Sequence, residues 1–171
     1  MTKANITILM ACMVTVIGGG LWAQPSPEPP AAFERIQSLA GDWEAPLESG
    51  KVIRVNYKLM SNNSILVETY RTPSGKETLS VYHMDGKRLL LTHYCAQGNQ
   101  PRLRYDPDKG DAQRLVFNFM DATNLPSKKK EHMVRLEVRF VDADHFDQSS
   151  TYRSGKEEET TVLKFARVKE R

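Results

Sequence analysis

From Gly41 to the end of the chain, apolar residues recur at every second position, and short polar clusters interrupt the pattern. Successive side chains of a strand point to opposite sides, so this alternation predicts strands with one face buried. Ile53, Val55, Tyr57 and Leu59 alternate with Arg54, Asn56 and Lys58. Leu115, Phe117 and Phe119 alternate with Val116, Asn118 and Met120, and Val134, Leu136, Val138 and Phe140 with Arg135, Glu137 and Arg139. Ser61-Asn62-Asn63, Thr72 to Gly75, Asp85-Gly86, Asp106 to Gly110, Asp142-Ala143-Asp144 and Ser154-Gly155-Lys156 are the breaks. About nine or ten strands result. No stretch between them is long enough for the helix of a parallel crossover, so the order is mainly antiparallel and sequential. An all-β, antiparallel up-and-down β-barrel buries one face of every strand and leaves no open edge. A β-sandwich is the alternative. It needs long Greek-key connections, whereas most connections here are turns of about two to five residues.

What precedes the strands is different in kind. Lys3, the apolar run Ile6 to Ile17 and a cleavage site after Leu21-Trp22-Ala23 read as a secretory signal peptide over residues 1–23. A retained anchor is the rival, but the run is short for a span and no basic cluster follows it. Lipid attachment at Cys12 is a further alternative, for which Met10 is a poor fit. Gln24 to Pro30 is a Pro-rich spacer, expected to be extended or disordered. Phe33, Ile36 and Leu39 then stand at helical spacing with Glu34 and Arg35 opposite, which predicts one short helix from Ala31 to Leu39, ended at Gly41. Residues 31–171 are expected to form one domain, exported to the periplasm or the medium and independent of the membrane once the leader is removed.

Charge argues against a nucleic-acid partner. The net charge is +3 with acids and bases interleaved. Lys128-Lys129-Lys130 reads as a solvated loop tip, and Glu157-Glu158-Glu159 as its acidic counterpart beside a turn. Cys12 leaves with the leader, so Cys95 stands alone, no intramolecular disulfide forms, and the thiol is expected to be buried.

The richest stretch chemically is Thr78 to Pro101. Asp-Gly between alternating apolar residues predicts a two-residue hairpin. Centred on Asp85-Gly86, it pairs Met84 with Lys87, Tyr82 with Leu89, Ser80 with Leu91 and Thr78 with His93. One face then carries Thr78, Ser80, Tyr82, Leu89, Leu91, His93 and Cys95. The other carries His83 and Arg88, which suit solvent, so the first is expected inward. In the preceding strand the set Ile65, Val67 and Thr69 is the more apolar and is expected inward; Glu68 joins the interior only if the phase is reversed. Gly98 to Pro101 reads as a rim turn.

His83 and His93 fall on opposite faces and His132 and His145 on distant strands, so no metal site is assigned. His93 and Cys95 are separated by about 7 Å along one strand, long for a proton-transfer pair. Serine elbows, P-loops and dinucleotide fingerprints are missing from the sequence. No catalytic residue or cofactor is assigned.

The helix followed by Leu39-Ala40-Gly41-Asp42-Trp43 resembles the Gly-x-Trp opening of the lipocalin-like (calycin) barrels. That resemblance implies that Trp43 sits at the closed end of a barrel with a last-strand Arg packed over it, here Arg167. The block from Tyr82 to Asp85-Gly86, through Leu91 to Cys95 and on to Gly98-Asn99-Gln100-Pro101, is similar to an exported bacterial lipocalin-like family of uncharacterised activity. The resemblance spans about Phe33 to Arg167. The resemblance carries no activity to transfer, but a barrel of about eight to ten strands leaves room for a small apolar or amphipathic molecule, with Tyr82, His93, Cys95, Glu68 and Leu91 as candidate lining residues. A hydrolase or isomerase using His93 with Tyr82 or Cys95, and an interaction module with a filled barrel, are the competing readings.

Overall fold

A computed structural model describes residues 25–169. The leader expected over residues 1–23 and the first residue of the spacer lie outside the described residues. The chain begins with helix α1 (Pro29–Gln37), followed by β1 (Gly41–Pro46), β2 (Val52–Met60), β3 (Ile65–Arg71), β4 (Glu77–Asp85) and β5 (Arg88–Tyr94). It continues with β6 (Gln100–Tyr105), β7 (Arg114–Thr123), β8 (His132–Phe140), β9 (His145–Ser154) and β10 (Glu157–Arg167). The ten strands close into one barrel, each pairing antiparallel with its sequence neighbours and β10 returning to β1. Closure rules out the sandwich.

The helix starts two residues before the expected boundary, with Pro29 and Pro30 in its first turn. Proline suits that turn because its missing N–H would have no partner there. The spacer is not free either, since Tyr105 Oη donates to the carbonyl of Pro27 at 2.8 Å. Ala32, Phe33 and Ile36 are buried. Gln37 Nε2 donates to the carbonyl of Asn63 in the β2–β3 turn, and the Arg35 guanidinium lies 4.5 Å from the ring centre of Phe140 at the end of β8. The helix therefore stops one end of the barrel. The turns at the other end leave it open.

At the stopped end, Trp43 is buried and pairs in register with Arg167. The Arg167 guanidinium sits 4.1 Å from the indole centre and donates to the carbonyls of Ala40 (2.8 Å) and Ser38 (3.1 Å). Its Nε donates to Ala143 in the β8–β9 turn at 3.3 Å. Gly41 makes this approach possible: its φ is +126°, and a Cβ there would stand 2.9 Å from Arg167 Nη1. Beneath the indole, Phe146 meets Trp43 edge-on at 4.7 Å and stacks on Phe165 at 4.9 Å.

Three registers differ from the sequence reading. The β4–β5 loop is Gly86-Lys87, so Asp85 faces Arg88, Tyr82 faces Leu91 and Ser80 faces His93. Gly86 has φ +58° at the first central position, where type II′ hairpins place glycine. Moving the loop by one residue slides the pairing by two, so every side chain keeps its face. In β3 the phase is reversed: Leu66 and Glu68 are buried, while Ile65, Val67 and Thr69 are half-buried on the outside. β10 begins at Glu157, so Glu157 to Glu159 follow the Gly155-Lys156 turn as exposed strand residues. In β8, a bulge between Met133 and Arg135 switches the phase, so Met133 joins the core together with Leu136.

Replacing Arg167 by Ala removes the cation–π contact and three hydrogen bonds to carbonyls. The expected loss is about 2–4 kcal/mol. Thermal unfolding should show a Tm lowered by roughly 5–10 °C. An Arg167→Ala protein that melts with the wild type would mean that this contact does not hold the barrel shut.

Candidate functional site

Inward positions change character along the barrel axis. Toward the stopped end they are Trp43, Phe146, Phe165, Tyr57, Leu66, Leu89, Leu91, Phe117 and other apolar residues, all buried and tightly clustered. Toward the open end the same columns become polar. In β9 the inward column runs Phe146, Gln148, Ser150, Tyr152; in β3 it runs Leu66, Glu68, Tyr70; in β5, Leu91, His93, Cys95. The polar ends of these columns line a cavity of about 260 Å³ that opens to solvent.

Glu68, His93 and Cys95 all line the cavity. Tyr82 and Leu91 do not: both are wholly buried in the core. Tyr82 supports the site from beneath, its hydroxyl donating to Glu68 Oε2 at 2.7 Å. Ser80 Oγ donates to Glu68 Oε1 at 3.4 Å and lies 3.1 Å from His93 Nδ1. Tyr152 Oη lies 3.3 Å from His93 Nε2. Tyr57 Oη donates to Gln148 Oε1 at 3.4 Å. One assignment satisfies the chain: Tyr152 donates to Nε2, the Nδ1–H donates to Ser80, and Ser80 donates to Glu68. This uses a neutral imidazole.

Electrostatics agree with that assignment. Burial pulls the His93 imidazole down to about 4. Burial pushes the Glu68 carboxyl up, and hydrogen bonds from Tyr82, Tyr57, Ser80 and Gln148 only partly offset it. No cation contributes to Glu68 among the described residues. The Tyr57 and Tyr82 hydroxyls are pushed well above their ordinary range, first by burial and then by the Glu68 charge, so they remain donors.

Cys95 is half-buried at the cavity mouth, not buried as expected, because β5 ends at Tyr94 and the thiol sits in the rim turn. Its Sγ accepts from Gln97 N at 3.5 Å, and partial burial raises the thiol. Neither Cys95 nor Tyr82 is hydrogen-bonded to His93 among the described residues. The other histidines point elsewhere: His132 Nδ1 lies 2.7 Å from Lys130 O, and His145 is paired with Asp142.

The sequence reading left out Gln148, Ser150 and Tyr152. Their signal was present: they share the phase of Phe146 in His145–Ser154, and the buried aromatic marks that phase as inward. Ser80 lay on the inward face that was identified, but its link between His93 and Glu68 depends on the observed register.

The direction of the His93 shift gives a stability prediction. The unfolded imidazole titrates near 6.5 and the folded one near 4. Between those values the unfolded chain binds more protons, so stability falls as pH drops from 6.5 to 4, by on the order of 3 kcal/mol from this group. Glu68 acts oppositely, losing stability as pH rises through its raised value. His93→Gln keeps Glu68 and removes the imidazole. Urea unfolding should therefore show a flatter acid limb for the variant than for the wild type. Parallel limbs would contradict a buried, neutral His93.

No protein-family model matches the chain, and no curated protein matches it either. What the cavity holds must be argued from its own chemistry.

Proposed function

We propose that the protein is an exported lipocalin-like barrel that binds one small amphipathic molecule in the cavity at its open end. The observation that carries this reading is a pair of buried polar side chains facing open volume. Glu68 and His93 are each only 3% exposed, yet both line a cavity of about 260 Å³. Both are held by hydroxyl partners, Glu68 by Tyr82 and Ser80 and His93 by Ser80 and Tyr152, so their geometry is fixed where they face that volume. A few convergent polar groups in a recess with apolar walls are the usual composition of a small-molecule site. The volume is just under the range for drug-sized ligands, so the occupant is small.

The lining favours an amphipathic over a wholly apolar molecule. Met133 and Leu163 supply apolar wall, while Glu68, Gln148, His93 and Tyr152 supply acceptors and donors. The lower half of the barrel is solid, so the ligand goes no deeper than Glu68. The leader-like sequence of residues 1–23 supports export, and the Trp43–Arg167 closure supports the lipocalin-like reading.

Catalysis has less behind it. In a hydrolytic triad the imidazole stands between nucleophile and carboxylate. Here Ser80 stands between His93 and Glu68, is itself buried, and does not line the cavity. The Cys95 thiol is raised, where an activated thiol is lowered.

Ser150 is half-buried in the cavity wall and makes no side-chain hydrogen bond among the described residues, so Ser150→Trp fills the space without removing a member of the Glu68 network. Native mass spectrometry of protein from its own host is expected to show a small bound molecule on the wild type that is absent from Ser150→Trp. A wild type that releases nothing, or a variant that retains the ligand, would sink the proposal.

A further inference from the structure

The wall chemistry narrows the ligand further, if the cavity is its binding site. We infer that the ligand carries an amine, bound as its ammonium against Glu68 on a partly apolar skeleton.

Charge is the first reason. Glu68 is a carboxyl at the cavity floor with hydroxyl and amide neighbours and no Arg, Lys or charged His among the groups that act on it. An isolated carboxylate in such a place is strongly disfavoured, and an ammonium brought by the ligand is the partner that relieves it. An alcohol offers a hydrogen bond but no charge. A carboxylate or phosphate would meet Glu68 as a like charge, and the lining provides only Lys76, out at the exposed rim, to receive it. The imidazole of His93 stays neutral near pH 7 and adds no positive charge.

Aromatic walls are the second reason. Tyr70 and Tyr152 line the same cavity. Tyrosine rings attract cations through their faces, and together with a carboxylate they form a common environment for an ammonium.

The third reason lies at the mouth. Residues directly opposite in an antiparallel pair share a face. Glu159 is paired with Tyr152, and Glu157 with Ser154, so both acids share the inward phase of Thr161, Leu163 and Phe165. Beside the cavity, Glu131, Glu157, Glu158 and Glu159 line a further hollow of about 270 Å³ that also reaches Tyr152. The lining thus runs from acids in the outer hollow to a buried carboxyl, with Lys128 to Lys130 on the outer rim, where the Lys129 carbonyl accepts from Gly155. Such a gradient concentrates cations and speeds their entry.

The test compares three ligands of one chain length, hexylamine, hexanol and hexanoate, by calorimetry on the mature protein at pH 7. Hexylamine should bind about tenfold or more tightly than hexanol, and hexanoate least. Glu68→Gln, nearly the same shape, should abolish the preference, bringing hexylamine down to the level of hexanol measured on the same variant. Should that variant not fold, Glu157→Gln with Glu159→Gln replaces it; the pair sits at the exposed mouth and should slow hexylamine association and flatten its salt dependence. If hexanol or hexanoate binds as tightly as hexylamine, and Ser150→Trp abolishes that binding, the cavity stands and the ammonium is wrong. If none of the three binds, the cavity reading falls and this inference falls with it.

Discussion

Everything in this barrel depends on closing a short seam. β1 and β10 share only two register pairs, Trp43 with Arg167 and Glu44 with Ala166. Every other neighbouring pair but β5–β6, which shares three, has at least five. Two register pairs, extended by the Val168 N–H donating to the Asp42 carbonyl at 2.8 Å, are a weak join for ten strands. The Arg167 guanidinium adds what the ladder lacks: it covers the indole and ties the α1–β1 connection and the β8–β9 turn to the last strand. The cost of opening the seam is larger than the seam itself. It would wet Phe146 and Phe165, which pack directly beneath Trp43. It would also relax the β2–β3 and β8–β9 registers that face Tyr57 and Gln148 toward each other.

The interior above that seam is a compromise between packing and polarity. Aromatic residues fill the stopped end solidly, which gives the barrel its stability without a disulfide. The same columns carry Glu68, Ser80, His93 and Gln148 one layer higher, where burial would be ruinous without partners. Each of the four has at least one. Their bonds run through one another, so no member can be removed without leaving another unsatisfied. A neutral His93 and protonated tyrosines keep the layer nearly uncharged, with Glu68 the single group that can carry charge. A layer built this way is fixed in geometry before any ligand arrives.

How legible this was in the sequence follows from what period-two patterning can encode. Alternation and turn residues carry the strand count, the order and the closure, because those follow from which residues need burial and where the chain can bend. The inward face of β4 and β5 was legible too, and it survived a misplaced turn, since a two-residue slide preserves parity. Glu68 was not. In β3 both faces are partly apolar, and Ile65, Val67 and Thr69 look more like a core than Leu66, Glu68 and Tyr70 do. The register decides it: Tyr57 opposite Glu68 and Tyr82 opposite Leu66 commit that face to the interior. Hydrophobicity along one strand cannot reveal a carboxyl held inside by hydroxyls on its neighbours. The Met133 bulge is invisible for a similar reason, as it depends on how β8 meets β9.

Glu157-Glu158-Glu159 shows the same limit from the other direction. Three acids in a row read naturally as a solvated surface, and for Glu158 that is what the register gives, with Arg153 beside it on the outer face. Beyond the seam, β10 runs past the end of β1 with one edge unpaired among the described residues. Charged side chains on an open edge discourage pairing with another chain, which gives Glu158 and Lys164 a structural purpose. Glu157 and Glu159 point to the other face of the strand, and they too are exposed, lining the same hollow as Glu158. Under the proposed ammonium reading, their place at the opening has a purpose that the packing of the barrel does not supply.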